Sequence, residues 1–112
     1  MLTASIVLFM YAALSGLVMA VGIFRGAKRW APLALGHGVL AATALVLALF
    51  VLIATDAAAI KYGVAVLVLA ALGGLFLLSY QLRGKPHPWI VVVLHALLAV
   101  GGVGCLVFAL LH

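Results

Sequence analysis

Apolar residues fill four long runs of the 112-residue chain, Leu2 to Phe24, Leu33 to Ala54, Ala57 to Leu82 and Trp89 to Leu111. Polar residues collect in three short breaks between them. Each run reaches the roughly 20 apolar residues that an α-helix needs to cross a hydrocarbon core about 30 Å thick. Helices are the expected form, because an open strand in lipid leaves backbone groups unpaired and four strands are too few to close a barrel. Breaks this short make consecutive helices antiparallel neighbours. The pattern predicts an all-α membrane protein, a four-transmembrane-helix bundle forming a single membrane domain over residues 1–112.

The first break, Arg25-Gly26-Ala27-Lys28-Arg29-Trp30-Ala31-Pro32, ends in a proline suited to the first turn of a helix. The second, at Thr55-Asp56, offers two N-cap residues for the third helix. The third, Arg83-Gly84-Lys85-Pro86-His87-Pro88, is basic and stiffened by two prolines.

Composition agrees with this reading: 71% of residues are hydrophobic, 6% are charged and the mean hydropathy is +1.53, too little charge for a water-facing surface. The net charge of +5 changes the picture through its placement. Arg25, Lys28, Arg29, Arg83 and Lys85 share one side of the bundle, and Lys61 alone lies near the other. The positive-inside rule makes loops 25–32 and 83–88 cytoplasmic and both termini external, with a bacterial inner membrane as the expected location. The basic residues then orient the chain and meet anionic lipid, and nucleic acid is not an expected partner. Without a basic leader or a small-residue cleavage site, the first run reads as a retained span. A single cysteine, Cys105, has no partner in the chain, so disulfide frameworks and cysteine metal sites are excluded.

A shift of 58 residues, the distance from His37 to His95, aligns the chain with itself without a gap. Ala12-Ala13-Leu14 and Gly16-Leu17 fall on Ala70-Ala71-Leu72 and Gly74-Leu75, and Arg25-Gly26 falls on Arg83-Gly84. Leu40-Ala41 falls on Leu98-Ala99, and Phe50 and Leu52 fall on Phe108 and Leu110. Chance Leu and Ala matches are common in apolar sequence, whereas an Arg-Gly pair and a His in one frame are not. The frame predicts two tandem helical hairpins, about 1–54 and about 57–112, in the parallel kind of internal repeat whose axis runs along the membrane normal. Both histidines then share one depth, roughly 8 to 9 Å inside the cytoplasmic end at 1.5 Å per residue.

Small residues mark the faces where backbones can approach. Ala12, Gly16 and Ala20 form such a stripe, repeated in part by Ala70 and Gly74. The face of His37 continues through Ala34, Ala41, Ala44 and Ala48, and that of His95 through Ala99, Gly102 and Ala109. Leu35, Val39, Val46 and Phe50 fall elsewhere. The histidines are therefore expected to point into the bundle or against another protein.

An ionisable side chain at this depth marks a candidate functional site, because a polar group facing lipid needs a partner. No carboxylate lies within the spans, and the one acid, Asp56, is predicted at the opposite face. Two neutral imidazoles facing each other across a pseudo-twofold axis suit the axial positions of a haem iron, each supplying Nε2. Haem b is the candidate cofactor, ahead of a chlorophyll, with His37 and His95 as metal ligands. Gly36, Gly38, Gly101 and Gly102 offer room for a flat macrocycle, and Arg25, Lys28, Arg29, Arg83 and Lys85 offer partners for its propionates. In helix count and in the placement of His37 and His95, the chain resembles four-helix membrane b-type cytochromes of the bacterial cytochrome b561 type. It has one histidine pair where many of those proteins have two. The resemblance implies electron transfer within the membrane without catalytic activity of its own.

Other readings compete. Each histidine can donate a ring N–H to a carbonyl or hydroxyl of a neighbouring helix, with Ser15 and Thr43 among the hydroxyls. The chain would then be a non-enzymatic structural or assembly subunit of a larger membrane complex. Another metal or a bound substrate would also use the imidazoles. A small dimeric transporter ranks third, because no membrane carboxylate is present for proton coupling. Membrane lipid is the expected partner, with a homo-oligomer or a larger complex as further candidates. No hydrolase triad, metalloprotease motif or phosphate loop occurs. His87 reads as a loop residue and His112 as a frayed end, and Met1, Met10 and Met19 lack a matching ligand set. Trp30, Trp89, Tyr62 and Tyr80 read as interfacial anchors. Tyr11, deeper, is expected to hydrogen-bond inside the bundle.

Overall fold

A computed structural model describes residues 1–26 and 31–112. Four α-helices follow in order: α1 Leu2–Phe24, α2 Ala31–Ala54, α3 Ala58–Leu82 and α4 Trp89–Leu111. The shortest has 23 residues, about 35 Å at 1.5 Å per residue. All four are long and apolar enough to cross a membrane. Lys28, Arg29 and Trp30, expected in the first basic break, lie outside the described residues.

The helix ends follow local chemistry. α2 is described from Ala31, so the helix includes Pro32 as well as the predicted run from Leu33. The expected capping of α3 by Thr55 or Asp56 does not form. Ala57 is the N-cap and carries no side-chain cap bond. The Asp56 carboxylate pairs instead with the Lys61 ammonium, both exposed, and Thr55 Oγ1 accepts the Ala57 N–H at 3.4 Å.

The repeated Arg-Gly pairs perform one task twice. Arg25 and Arg83 are the C-caps of α1 and α3, and Gly26 and Gly84 follow with φ of 70° and 65°. That left-handed conformation favours glycine, and it turns the Gly26 and Gly84 N–H groups back onto the Ile23 and Gln81 carbonyls, each at 3.1 Å. A cation at this end also opposes the partial negative charge of the last carbonyls.

The helices stand in a ring. α1 packs most extensively on α2 and α3 on α4, with smaller seams between α2 and α3 and between α1 and α4. Among the described residues, α1 faces α3 and α2 faces α4 across the two diagonals without backbone contact. One buried core joins Ile6 and Phe9 of α1, Ala44 and Ala48 of α2, Ile60, Val64 and Leu67 of α3, and Leu106 of α4. These residues come from the first half of the odd helices and the second half of the even ones, so the core fills one end of the ring. Ser5 is fully buried there and donates to the Ala44 carbonyl at 2.7 Å. α3 and α4 approach closely because Gly63 and Gly102 face each other: a Cβ on Gly102 would lie 3.2 Å from the Gly63 carbonyl oxygen and 2.5 Å from Leu67 Cγ.

Toward the end that carries the Arg-Gly turns, burial stops. Beyond Ala12 on α1 and Ala70 on α3 no residue of those helices is buried, and Val92 is the one buried residue of α2 and α4 at that level among the described residues. The bundle is tight at one end and looser at the other. Both histidines belong to the looser end.

Candidate functional site

His37 and His95 follow the first residues of α2 and α4, Ala31 and Trp89, by the same six positions. Both are partly buried and turn inward from opposite corners of the ring. Their ring centres are 6.1 Å apart, with the planes inclined at 79°.

Each ring is held from one side in the same way. His37 Nδ1 lies 2.7 Å from the Ala12 carbonyl oxygen of α1, and His95 Nδ1 lies 2.7 Å from the Ala70 carbonyl oxygen of α3. Both contacts span 25 residues, and the 58-residue shift carries one onto the other. A carbonyl only accepts, so Nδ1 bears the proton in both rings. In the neutral imidazole Nε2 then carries a free lone pair. Among the described residues no hydrogen bond reaches either Nε2, and no side-chain nitrogen or oxygen is both fully buried and unpartnered. Neither Nε2 is therefore fully buried.

Glycine makes room for the rings. A Cβ on Gly16 would stand 2.9 Å from His37 Cε1, and one on Gly74 would stand 3.1 Å from His95 Cε1. These positions occupy the other diagonal of the ring, on α1 and α3. Gly16 and Gly74 were legible as members of the small-residue stripes, but not as the floor beneath the imidazoles.

The glycines expected to frame a macrocycle lie elsewhere. Gly36 and Gly38 are exposed on the outer side of α2, and Gly101 on that of α4, with nothing within 4 Å of an added Cβ. Gly102 is buried, but against Leu67 and Gly63 of α3. Hydropathy does not fix the rotation of a helix that is apolar on every side.

Arg25 and Arg83 lie nine residues beyond Gly16 and Gly74, about 14 Å along the helix, at the end nearest the histidines. Both are exposed. The Arg83 guanidinium bends back on α3, donating to the Ser79 carbonyl at 3.1 Å and to Ser79 Oγ at 3.3 Å, and covers the Tyr80 ring at 4.7 Å.

The hydroxyls divide. Ser15 Oγ lies 3.2 Å from His37 Nδ1 and donates to the Ala12 carbonyl at 2.8 Å, so it sits at the depth of the site. Thr43 donates to the Val39 carbonyl of its own helix. Tyr11, expected inside the bundle, faces outward at 59% exposure, because the inner side of α1 there is taken by Phe9 and Ala12. Trp89 and Tyr62 are exposed near helix starts, and Tyr80 packs edge-on to Phe76 near the end of α3. His112 stacks on Phe108, far from the pair.

Among the described residues no group of three or more His, Cys, Asp or Glu side chains assembles into a metal site. The arrangement is a two-nitrogen site, each donor oriented by a carbonyl. No known protein family, characterised protein or solved structure matches the chain at a significant level.

Proposed function

We propose that this chain is an integral membrane protein that holds one haem b between His37 and His95 and carries electrons within the membrane. The observation that carries this reading is the close pair of imidazoles, ring centres 6.1 Å apart, each with Nδ1 committed to a carbonyl and Nε2 left to donate. Were both rings to hold one metal from opposite sides through Nε2, at about 2 Å per bond and a further 1 Å or so to each ring centre, the centres would be about 6 Å apart. The observed 6.1 Å fits that spacing.

The surroundings also suit the group. Gly16 and Gly74 would let the two ligand rings seat closely against α1 and α3. Arg25 and Arg83 end those same helices and can reach toward propionates. When bound, haem supplies one-electron chemistry. The chain's part is to orient the donors: the Ala12 and Ala70 carbonyls fix the tautomer and ring direction and raise the basicity of Nε2. The apolar core seals the site from the far end. The equivalence of the Ala12–His37 and Ala70–His95 contacts also supports origin from a duplicated hairpin, and the basic loops favour a cytoplasmic site.

A second reading rests on the same hydrogen bonds. They tie α1 to α2 and α3 to α4, which is how interhelical staples in a structural subunit would look. That reading accounts for Nδ1 and leaves both Nε2 lone pairs unused. Reduced-minus-oxidised spectra of protein purified from haem-replete cells separate the two. Soret and α bands that vanish in both His37→Ala and His95→Ala are expected, and a wild-type protein without a Soret band overturns the cytochrome reading.

A further inference from the structure

The two histidines are alike in depth, in the carbonyl each meets and in the glycine beneath each ring. Several neighbouring positions differ, Ala34 against Val92 and Gly36 against Leu94 among them, and one of these differences places a hydroxyl beside a ring. The 58-residue frame places Ser15 of α1 opposite Gly73 of α3. Ser15 Oγ touches His37 Nδ1 at 3.2 Å, whereas a Cβ at Gly73 would come no closer than 3.7 Å to His95 Nδ1 and Cβ. Nothing at position 73 can accept the His95 proton.

We infer that Ser15 is a positioning residue that makes His37 the stronger donor of the pair, so that the two ligands are electronically unequal. The inference rests on the haem reading for its consequence, but not for its geometry. The Ser15 hydroxyl gives its proton to the Ala12 carbonyl, which leaves its lone pairs for the His37 N–H. With Nδ1 protonated, Ser15 Oγ at 3.2 Å stands as a second, longer acceptor beside Ala12 O at 2.7 Å, whereas among the described residues His95 Nδ1 meets Ala70 O alone. A hydroxyl that donates becomes a better acceptor, because successive hydrogen bonds polarise one another. Drawing the proton further from Nδ1 raises electron density on Nε2, and outer-sphere bonds of this kind tune ligand basicity. A stronger donor favours the oxidised metal and lowers the reduction potential.

Position 73 supplies the reciprocal experiment. An added Cβ there meets His95 at ordinary contact distances, so Gly73→Ser fits without forcing a neighbour aside. The cofactor-free protein provides the first measurement: the ¹⁵N-edited spectrum of histidine-labelled protein in nanodiscs, at one pH. Ser15→Ala is expected to move the Nδ1–H resonance of His37 upfield and leave that of His95 in place, and Gly73→Ser to move that of His95 downfield. An unmoved His37 resonance in Ser15→Ala overturns the inference, whatever the cofactor.

The haem-loaded protein provides the second measurement. The midpoint potential is expected to rise in Ser15→Ala, to fall in Gly73→Ser, and to return near the wild-type value in Ser15→Gly/Gly73→Ser, which transfers the hydroxyl to the other ligand. A potential unchanged or lowered in Ser15→Ala overturns the inference while leaving the cytochrome reading intact. A wild-type protein without a Soret band overturns the cytochrome reading alone.

Discussion

Gly16 lies directly beneath the His37 imidazole, so close that a Cβ on the glycine would stand 2.9 Å from Cε1. Gly74 bears the same relation to His95 at 3.1 Å. A methyl group at Gly16 must displace the ring, one at Gly74 must move it by a few tenths of an ångström, and a valine at either adds further bulk. Overpacking of this kind costs about 1–3 kcal/mol. Gly16→Val and Gly74→Val are expected to lower thermal stability by that order and to reduce haem bound per protein severalfold, with helical content by circular dichroism unchanged. Wild-type haem occupancy in both variants would remove the glycines from the site.

Ligation and hydrogen bonding can be separated at a single histidine. Glutamine at position 95 keeps an N–H able to reach the Ala70 carbonyl but supplies no imidazole lone pair. His95→Gln is expected to abolish the reduced-minus-oxidised bands and to lose less than about 1.5 kcal/mol in unfolding measurements, in line with interhelical hydrogen bonds in membranes. A His95→Gln protein that retains its bands would place the ligand elsewhere.

The tight end of the bundle responds differently. Leu106 is fully buried among residues of the core, and Leu106→Ala is expected to cost about 2–5 kcal/mol. Gly102→Leu adds a side chain where even a Cβ would overlap Leu67, and it is expected to separate α3 from α4 and prevent a stable fold. Ser5→Ala removes the buried bond to the Ala44 carbonyl, a loss of about 1 kcal/mol. Steric-trap or detergent unfolding of each variant provides the measurement. Equal sensitivity of Leu106→Ala and a surface variant such as Leu35→Ala would contradict the position of the core.

Orientation has its own test. In a Cys105→Ser background, Lys85→Cys is expected to react with a membrane-impermeant thiol reagent only after the cells are opened, and His112→Cys in intact cells. The reverse pattern would invert the topology and place the histidines near the outer surface.

Much of the fold was legible in sequence because one physical fact dominates it. Four apolar runs with basic or polar breaks admit few arrangements, and observed helix boundaries differ from the predicted ones by at most two residues, at Ala31 and Ala58. The small residues Ala44, Ala48 and Gly102 correctly marked inward faces. Helix rotation was harder to read, since a helix apolar on all sides carries little contrast between faces. The outward facing of Tyr11, Gly36 and Gly38 was not legible for that reason. Ser15 left one signal, a hydroxyl immediately before the Gly16 position of a small-residue stripe, with glycine at its counterpart in the second half.

The uneven burial along the bundle separates assembly from loading. The buried core at the Leu106 end involves Ile6, Phe9 and Leu67 but neither histidine. On the proposed haem reading, a guest would meet the histidines at the end where burial is least, like a card at the open side of a clip, and the contacts that close the other end would not depend on it.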